Sequence, residues 1–129
     1  MLDNNIFGVF LKEQRKQKGV SLRVLADKLN VSHSYLSNIE NGKKPPPSNA
    51  LLIEIASALS LDYKSKTLLF DIASEIKNIN NKDISAPADI SKYLMEKPSL
   101  KVLIREADKH GCSNEFWEEV LQVVKDMSQ

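Results

Sequence analysis

Apolar side chains recur every three or four positions along most of the chain, which is the spacing that places them on one face of an α-helix. No strand-like alternation of any length and no internal repeat interrupts this pattern. Within the first 79 residues the pattern predicts five helices: Asn5–Lys18, Leu22–Leu29, Ser32–Glu40, Asn49–Leu59 and Tyr63–Ile79. The sequence therefore predicts an all-α fold.

Each of these helices has an apolar face that we expect to point inward, and together the faces predict a single core for residues 1–79. The inward-facing residues, in chain order, are Ile6, Phe7, Phe10, Leu11, Leu22, Leu25, Ala26, Leu29, Tyr35, Leu36, Ile39, Leu51, Leu52, Ile55, Ala56, Leu59, Leu68, Leu69, Ile72, Ala73 and Ile76.

The ends of the predicted helices carry residues that favour helix termination. Gly19 and Gly42 suit the position just after a helix, and Ser48 suits the cap before the fourth helix. Between them, Lys43-Lys44-Pro45-Pro46-Pro47 cannot be helical and predicts a stiff, extended connection. We interpret these prolines as structural, the alternative being a polyproline ligand for a partner domain.

The second and third predicted helices are joined by an unusually short turn. Asn30 lies where the chain must leave the second helix, and we expect it to adopt a positive φ, which Asn tolerates well. Ser32 is a suitable N-cap for the next helix, and Ala26 is small where the two helices would cross. This arrangement predicts a helix-turn-helix, whose second helix can enter the major groove of DNA.

The C-terminal part of the chain has a different character. Residues 80–86 are polar and Asn-rich and predict a linker, and residues 87–129 form a segment of about three short helices. Pro87 would open the first of these and Pro98 would stop it. The other two are predicted at Leu100–His110, capped by Ser99, and at Asn114–Met127, capped by Ser113. A segment of this length is too small to bury its apolar side chains alone.

Charge is distributed unevenly along a chain of 129 residues with a net charge of +1. Residues 11–44 contain 8 Lys or Arg against 3 Asp or Glu, whereas residues 80–129 contain 7 against 9. A basic region around a predicted helix-turn-helix is the electrostatic property expected of a surface that contacts phosphates. A solvated basic surface without a ligand is the alternative explanation.

Several classes of protein do not fit the sequence. It contains no apolar run long enough to span a membrane and no secretory signal, so we expect a cytoplasmic, nucleoid-associated protein without membrane contact. We find no catalytic motif and expect neither enzymatic activity nor a cofactor. His33, His110 and Cys112 do not match zinc-ligand spacing, so we predict no metal site.

The stretch Ser21–Gly42 resembles the Xre/Cro family of phage-repressor-like regulators, and the resemblance extends from about Phe7 to Asp62. It is carried by the helix-turn-helix pattern and by positions that are characteristic of the family: Ala26, Val31, Leu36, Ile39 and Glu40-Asn41-Gly42. Asn30 stands where the family often has Gly. The resemblance implies a five-helix lambda-repressor-like DNA-binding domain over residues 1–79, followed by the C-terminal helical segment.

The same resemblance assigns roles to individual residues. It implies a structural salt bridge between Arg15 and Glu40. It implies that base contacts come from the predicted helix Ser32–Glu40, the recognition helix of the helix-turn-helix. The contacting residues would be Ser32, His33, Ser34, Ser37 and Asn38. Phosphate contacts are expected from Ser21, Arg23, Tyr35, Asn41, Lys43 and Lys44, although the ring of Tyr35 could instead belong to the core.

These observations lead to two hypotheses about function. The first is a sequence-specific transcriptional regulator that binds double-stranded DNA, in the form of a dimeric repressor that reads a palindromic operator through Ser32–Glu40. The second is an antitoxin or accessory regulator whose C-terminal helices bind a protein partner. Residues 87–129 could accordingly build a homodimer, pack against their own N-terminal domain, or hold a partner.

Overall fold

The computed structural model describes residues 3–81 and 86–127, and all regular secondary structure within these ranges is helical. The all-α prediction is therefore confirmed. The helices are α1 (Asn4–Gln17), α2 (Leu22–Leu29), α3 (His33–Glu40), α4 (Asn49–Ala58), α5 (Tyr63–Asn81), α6 (Ala88–Glu96), α7 (Pro98–Lys109) and α8 (Asn114–Met127). None of these helices is long and apolar enough to cross a membrane.

Short polar side chains fix the beginnings of the first four helices. The side chains of Asp3, Ser21, Ser32 and Ser48 each accept a hydrogen bond from the backbone N–H three residues later, at 3.0 to 3.3 Å. Each bond satisfies a donor that the first turn of a helix leaves without an intrahelical partner. The predicted caps Ser32 and Ser48 are thereby confirmed.

The C-terminal helices begin differently from one another. Ser113 accepts from the backbone N–H of Phe116 at 3.3 Å, as expected of the predicted cap. The prediction that Ser99 caps α7 is wrong, because the helix begins at Pro98, two residues before the predicted start at Leu100, and Lys97 precedes it without a capping side chain. Proline suits the first helical position because its φ is already helical and its missing N–H would have had no partner there.

The core combines apolar side chains from α1 to α5. Ten large side chains in it are almost completely inaccessible: Phe7, Leu11, Leu25, Leu36, Ile39, Leu52, Ile55, Leu59, Leu69 and Ile76. The prediction of a core position is wrong for two residues, since Ile6 is 38% exposed and Leu68 is 44% exposed. Both lie at the edge of their helix's apolar face, where the neighbouring helices no longer cover them. Phe70, which we did not predict, is buried instead.

Helices α1 and α3 cross at very close range, and Gly8 makes this possible. A Cβ atom at position 8 would lie 2.4 Å from the carbonyl oxygen of Glu40 and 2.5 Å from that of Ile39. Both obstacles are backbone atoms, which cannot rotate aside as a side chain could. The end of α3 therefore rests directly on the backbone of α1.

The chain separates into two compact units, residues 1–92 and 93–129, with the division inside α6. Helix α5 continues through Asn80 and Asn81, the first two residues of the predicted linker, because neither Pro nor Gly interrupts it. Residues 82–85 of the predicted linker lie outside the described residues. Ala88, at the start of α6, is buried in the core of the first unit.

The second unit contains α7 and α8, joined through Gly111 at φ +66°. The backbone N–H of Cys112 donates to the carbonyl of Ala107 at 3.0 Å and closes the end of α7. Only Ala107 is buried among the described residues of this unit, and α8 has no buried residue. Most of the large apolar side chains on these two helices are exposed: Val102, Leu103, Ile104, Phe116, Leu121, Val123, Val124 and Met127.

Candidate nucleic-acid interface

The turn between α2 and α3 consists of Asn30, Val31 and Ser32. Asn30 has φ +56° and ψ +42°, so the predicted left-handed conformation is confirmed. The backbone N–H of Val31 donates to the carbonyl of Ala26 at 3.0 Å, which closes α2 before the chain reverses. Ser32 then caps α3 through its hydroxyl oxygen, 3.0 Å from the backbone nitrogen of Tyr35. Three residues thus suffice to separate the two helices.

Helix α3 has a buried inner face and a polar outer face. Leu36 and Ile39 are fully buried, and the ring of Tyr35 is half-buried against the core. The predicted base-contacting residues lie on the accessible side: Ser32, His33 and Ser34 are exposed, and Ser37 and Asn38 are half-buried. The structure therefore brings these five residues together over about two helical turns.

Several polar groups on this face have partners within the protein. Nε2 of His33 lies 3.2 Å from a carboxylate oxygen of Asp27. The side-chain amide of Asn41 donates to the hydroxyl of Ser37 at 3.3 Å. These contacts join the outer face of α3 to α2 at one end and to the following loop at the other. The role of Asp27 could not be predicted from the sequence, because a contact across a turn leaves no periodic signal.

Arg15 and Glu40, the pair implied by the family resemblance, are hydrogen-bonded through two atoms each, at 2.7 and 2.9 Å. The guanidinium also donates to the carbonyl of Val20 at 3.0 Å. Only 10% of the Arg15 side chain and 4% of the Glu40 side chain are exposed. The hydrogen bonds to Glu40 raise the pKa of Arg15, against the opposing effect of burial. This ion pair ties the end of α3 to α1.

The loop after α3 folds back against the recognition helix. The backbone N–H groups of Lys43 and Lys44 both donate to the carbonyl of Asn38, at 2.9 and 3.2 Å. Pro46 and Pro47 are buried, which agrees with a structural role, whereas both lysine side chains are exposed. Two cationic side chains are consequently held close to the C-terminal end of α3.

The remaining predicted phosphate-contacting residues flank the helix-turn-helix. Ser21 and Arg23 are exposed at the start of α2, and Asn41 is exposed at the end of α3. Ser21 uses its hydroxyl oxygen to cap α2, at 3.1 Å from the backbone nitrogen of Val24. Exposed polar or cationic groups therefore stand at the start of α2 and after the end of α3.

The site contains no arrangement typical of a metal centre. Among residues 3–81 and 86–127, no three His, Cys, Asp or Glu side chains come together closely enough to hold a metal ion. The chemistry available at the helix-turn-helix is hydrogen bonding and charge.

Comparison with known proteins points to one family. Residues 11–64 match the helix-turn-helix family model. The chain is 40% identical over 62 residues to the ImmF control region 10 kDa protein of Bacillus phage phi105, an alignment covering 48% of this chain and 68% of the phage protein. It is 41% identical over 64 residues to the transcriptional regulator SinR of Bacillus subtilis, covering 50% of this chain and 56% of SinR.

A longer alignment exists with the transcriptional regulator ClgR of Mycobacterium tuberculosis. It shows 42% identity over 103 residues, 80% of this chain and 89% of ClgR. Among solved structures, the SinR protein/SinI protein complex aligns with a TM-score of 0.45 and 28% identity, over 95% of this chain and 99% of that one. With the helix-turn-helix geometry and the matched family model, the phage protein and ClgR show that the chain belongs to the Xre/Cro-like helix-turn-helix family of DNA-binding transcriptional regulators and is not an enzyme.

Proposed function

We propose that this protein is a dimeric repressor that reads a palindromic operator through α3. The base contacts come from Ser32, His33, Ser34, Ser37 and Asn38. The phosphate contacts come from Ser21, Arg23, Tyr35, Asn41, Lys43 and Lys44. Such a protein blocks transcription by occupying its operator, and it acts at the nucleoid.

The observation that carries this proposal is the division of α3 into two faces. Leu36 and Ile39 anchor it in the core, and the Arg15–Glu40 pair holds its end in place. The accessible side carries short polar groups, which can reach base edges without a large loss of side-chain entropy. Asn38 is suited to adenine, since an amide can bond to N6 and N7 together, and serine hydroxyls can pair with several bases.

The proposed phosphate contacts are supported by charge and by position. Lys43 and Lys44 are exposed in a loop whose backbone is hydrogen-bonded to Asn38, so their side chains extend from a fixed point next to α3. Arg23 is exposed in the first turn of α2. Contacts of this kind set the register of a protein on DNA without reading sequence.

We propose that the exposed apolar faces of α7 and α8 form the interface with the second copy in the dimer. Val124 is 56% exposed and Leu121 is 52% exposed, and burying such side chains is strongly favourable. The charges of the two helices are also complementary. Helix α7 has three Lys or Arg and two Asp or Glu, whereas α8 has one Lys and four Asp or Glu. In a twofold interface α7 of one chain can therefore face α8 of the other.

The alternative hypothesis uses the same surface for a different protein. An antitoxin or accessory regulator would cover the apolar side chains of residues 87–129 with its partner, and the purified chain alone would be monomeric. We favour the homodimer because two recognition helices spaced one turn of DNA apart greatly increase specificity. The mass of the purified protein in solution separates the two hypotheses.

Fluorescence anisotropy tests the proposed function. The full chain is titrated on DNA from upstream of its own gene and on a scrambled fragment, over a series of salt concentrations. We expect a preference of ~10³ or more for the native fragment, with two chains bound per site. Equal binding to both fragments that disappears with salt would reduce the interaction to phosphate attraction and refute a sequence-specific repressor acting on its own promoter.

A further inference from the structure

Asp27 occupies an unexpected place for an acidic residue. It is the only Asp or Glu between Gln14 and Ile39, within the basic region of the helix-turn-helix. Its side chain is 69% exposed, so its charge is not neutralised by burial in an ion pair as that of Glu40 is. A carboxylate beside a DNA-binding surface repels phosphates and lowers affinity. The contact that Asp27 makes can offset this cost.

The partner of Asp27 is His33, the first residue of α3. A carboxylate oxygen of Asp27 lies 3.2 Å from Nε2 of His33, across the turn between the two helices. An ionised carboxylate only accepts hydrogen bonds, so Nε2 must carry the proton of this bond. In a neutral imidazole the other nitrogen, Nδ1, is then an acceptor.

We propose that Asp27 is a positioning residue that fixes His33 as the Nε2–H tautomer. Through this tautomer the recognition helix selects, at the position that His33 contacts, a base with an amino group in the major groove. This inference rests on the proposed function, in which His33 reads a base. In the major groove adenine and cytosine present amino donors, whereas guanine presents the acceptors N7 and O6. An acceptor at Nδ1 can bond to the amino group of adenine or cytosine, and it is repelled by N7 and O6 of guanine.

Selection of binding sites from random double-stranded DNA tests the proposal through a double-mutant cycle. The full chain, Asp27→Ala, His33→Ala and the double variant are each used to recover a consensus. We expect the full chain to favour adenine or cytosine over guanine by about tenfold at one position of each half-site. Asp27→Ala should reduce that preference, and it should have no further effect at that position once His33 is replaced.

A matched control separates positioning from charge. Asp71→Ala removes the same charge from an exposed residue on α5 and should leave the base preference unchanged. A simple repulsion of phosphates by Asp27 would raise affinity for all sequences alike, with or without His33. That outcome, or a preference for guanine at the position that His33→Ala alters, would overturn the proposal.

Nitrogen chemical shifts of the imidazole rings test the tautomer without DNA. The chain has two histidines, and a His110→Gln variant assigns the signals. We expect the neutral His33 ring to carry its proton on Nε2 and to leave Nδ1 free, and we expect part of this bias to be lost in Asp27→Ala. His110, whose Nε2 lies 3.6 Å from a carboxylate oxygen of Glu106, should not respond. A doubly protonated His33 ring would contradict the inference, whereas a full chain that selects no consensus would contradict the proposed function instead.

Discussion

Glu40 illustrates how much can depend on one buried side chain. It accepts two hydrogen bonds from Arg15, and both side chains are at least nine-tenths buried. The pair neutralises two charges that would each be costly to bury alone. Removing either partner therefore has a larger effect than the loss of the hydrogen bonds themselves.

We predict that Glu40→Ala lowers the free energy of unfolding by about 3–5 kcal/mol, because it leaves the Arg15 guanidinium buried without its counter-ion. Thermal and urea unfolding measure the change, and DNA binding should weaken with it because the end of α3 loses its attachment to α1. Glu13→Ala, at an exposed position on α1, is the control and should change little. An unchanged Tm in Glu40→Ala would contradict the role assigned to the pair.

At Asn38 the expected consequence concerns recognition rather than stability. We predict that Asn38→Ala reduces discrimination at one base position by ~1–3 kcal/mol and leaves non-specific binding intact. Its backbone carbonyl, which holds Lys43 and Lys44, is retained in the variant. Anisotropy titrations on single-base operator variants measure the effect. Lys44→Ala serves as the comparison, since loss of a phosphate contact should weaken binding to all sequences alike. An equal loss of affinity for all operator variants in Asn38→Ala would contradict its role in reading a base.

Two helix crossings determine how the recognition helix is presented. Helix α1 meets α3 at Gly8, and Ala26, which is completely buried, lies where we expect α2 to cross α3. At both positions the chain has a very small residue, which lets the helices approach closely. The outer face of α3 is accessible because its inner face is held by these two contacts.

We predict that Gly8→Ala destabilises the domain by about 1–3 kcal/mol, even though Ala is a better helix former than Gly by about 1 kcal/mol. The new Cβ would lie 2.4 Å from a backbone oxygen of α3, so the two helices must move apart. Urea unfolding measures the loss. Val9→Ala, at a half-exposed position on the same helix, is the control. Equal or greater stability in Gly8→Ala would show that the crossing adjusts without cost.

At the scale of the whole molecule, the proposed dimer links the exposed helices α7 and α8 to operator affinity. We predict that Val124→Glu shifts the protein toward monomer and weakens operator binding at low concentration, because a charge replaces an apolar side chain in the interface. Val124 is 56% exposed in the single chain, so the substitution should leave the melting of residues 1–92 unchanged. Sedimentation and anisotropy measure the two effects.

The control for this prediction is Asn114→Asp, which makes the same change in charge at an exposed polar position on α8. It should affect association far less than Val124→Glu. A chain that is monomeric before any substitution would contradict the homodimer and favour the hypothesis of a different protein partner on residues 87–129.

Much of this architecture could be predicted from local sequence. Ser32 and Ser48 indicate helix starts because a serine hydroxyl caps a helix by accepting a hydrogen bond from the backbone N–H only three residues later. Asn30 indicates the turn between two helices because Asn tolerates a positive φ. Ser99 does not cap α7 because Pro98, one position earlier, already satisfies the requirements of a helix start. Which of two adjacent residues begins a helix depends on the backbone geometry, and this cannot be read from the sequence.

The sequence by itself determined the helical pattern, the short turn and the concentration of basic residues, since each depends on side chains within a few positions of one another. The tertiary structure alone decided that Ile6 and Leu68 are exposed, that Gly8 touches the backbone of α3, and that Asp27 engages His33. These features depend on distances between helices, because burial and close approach are properties of two packed surfaces and not of one.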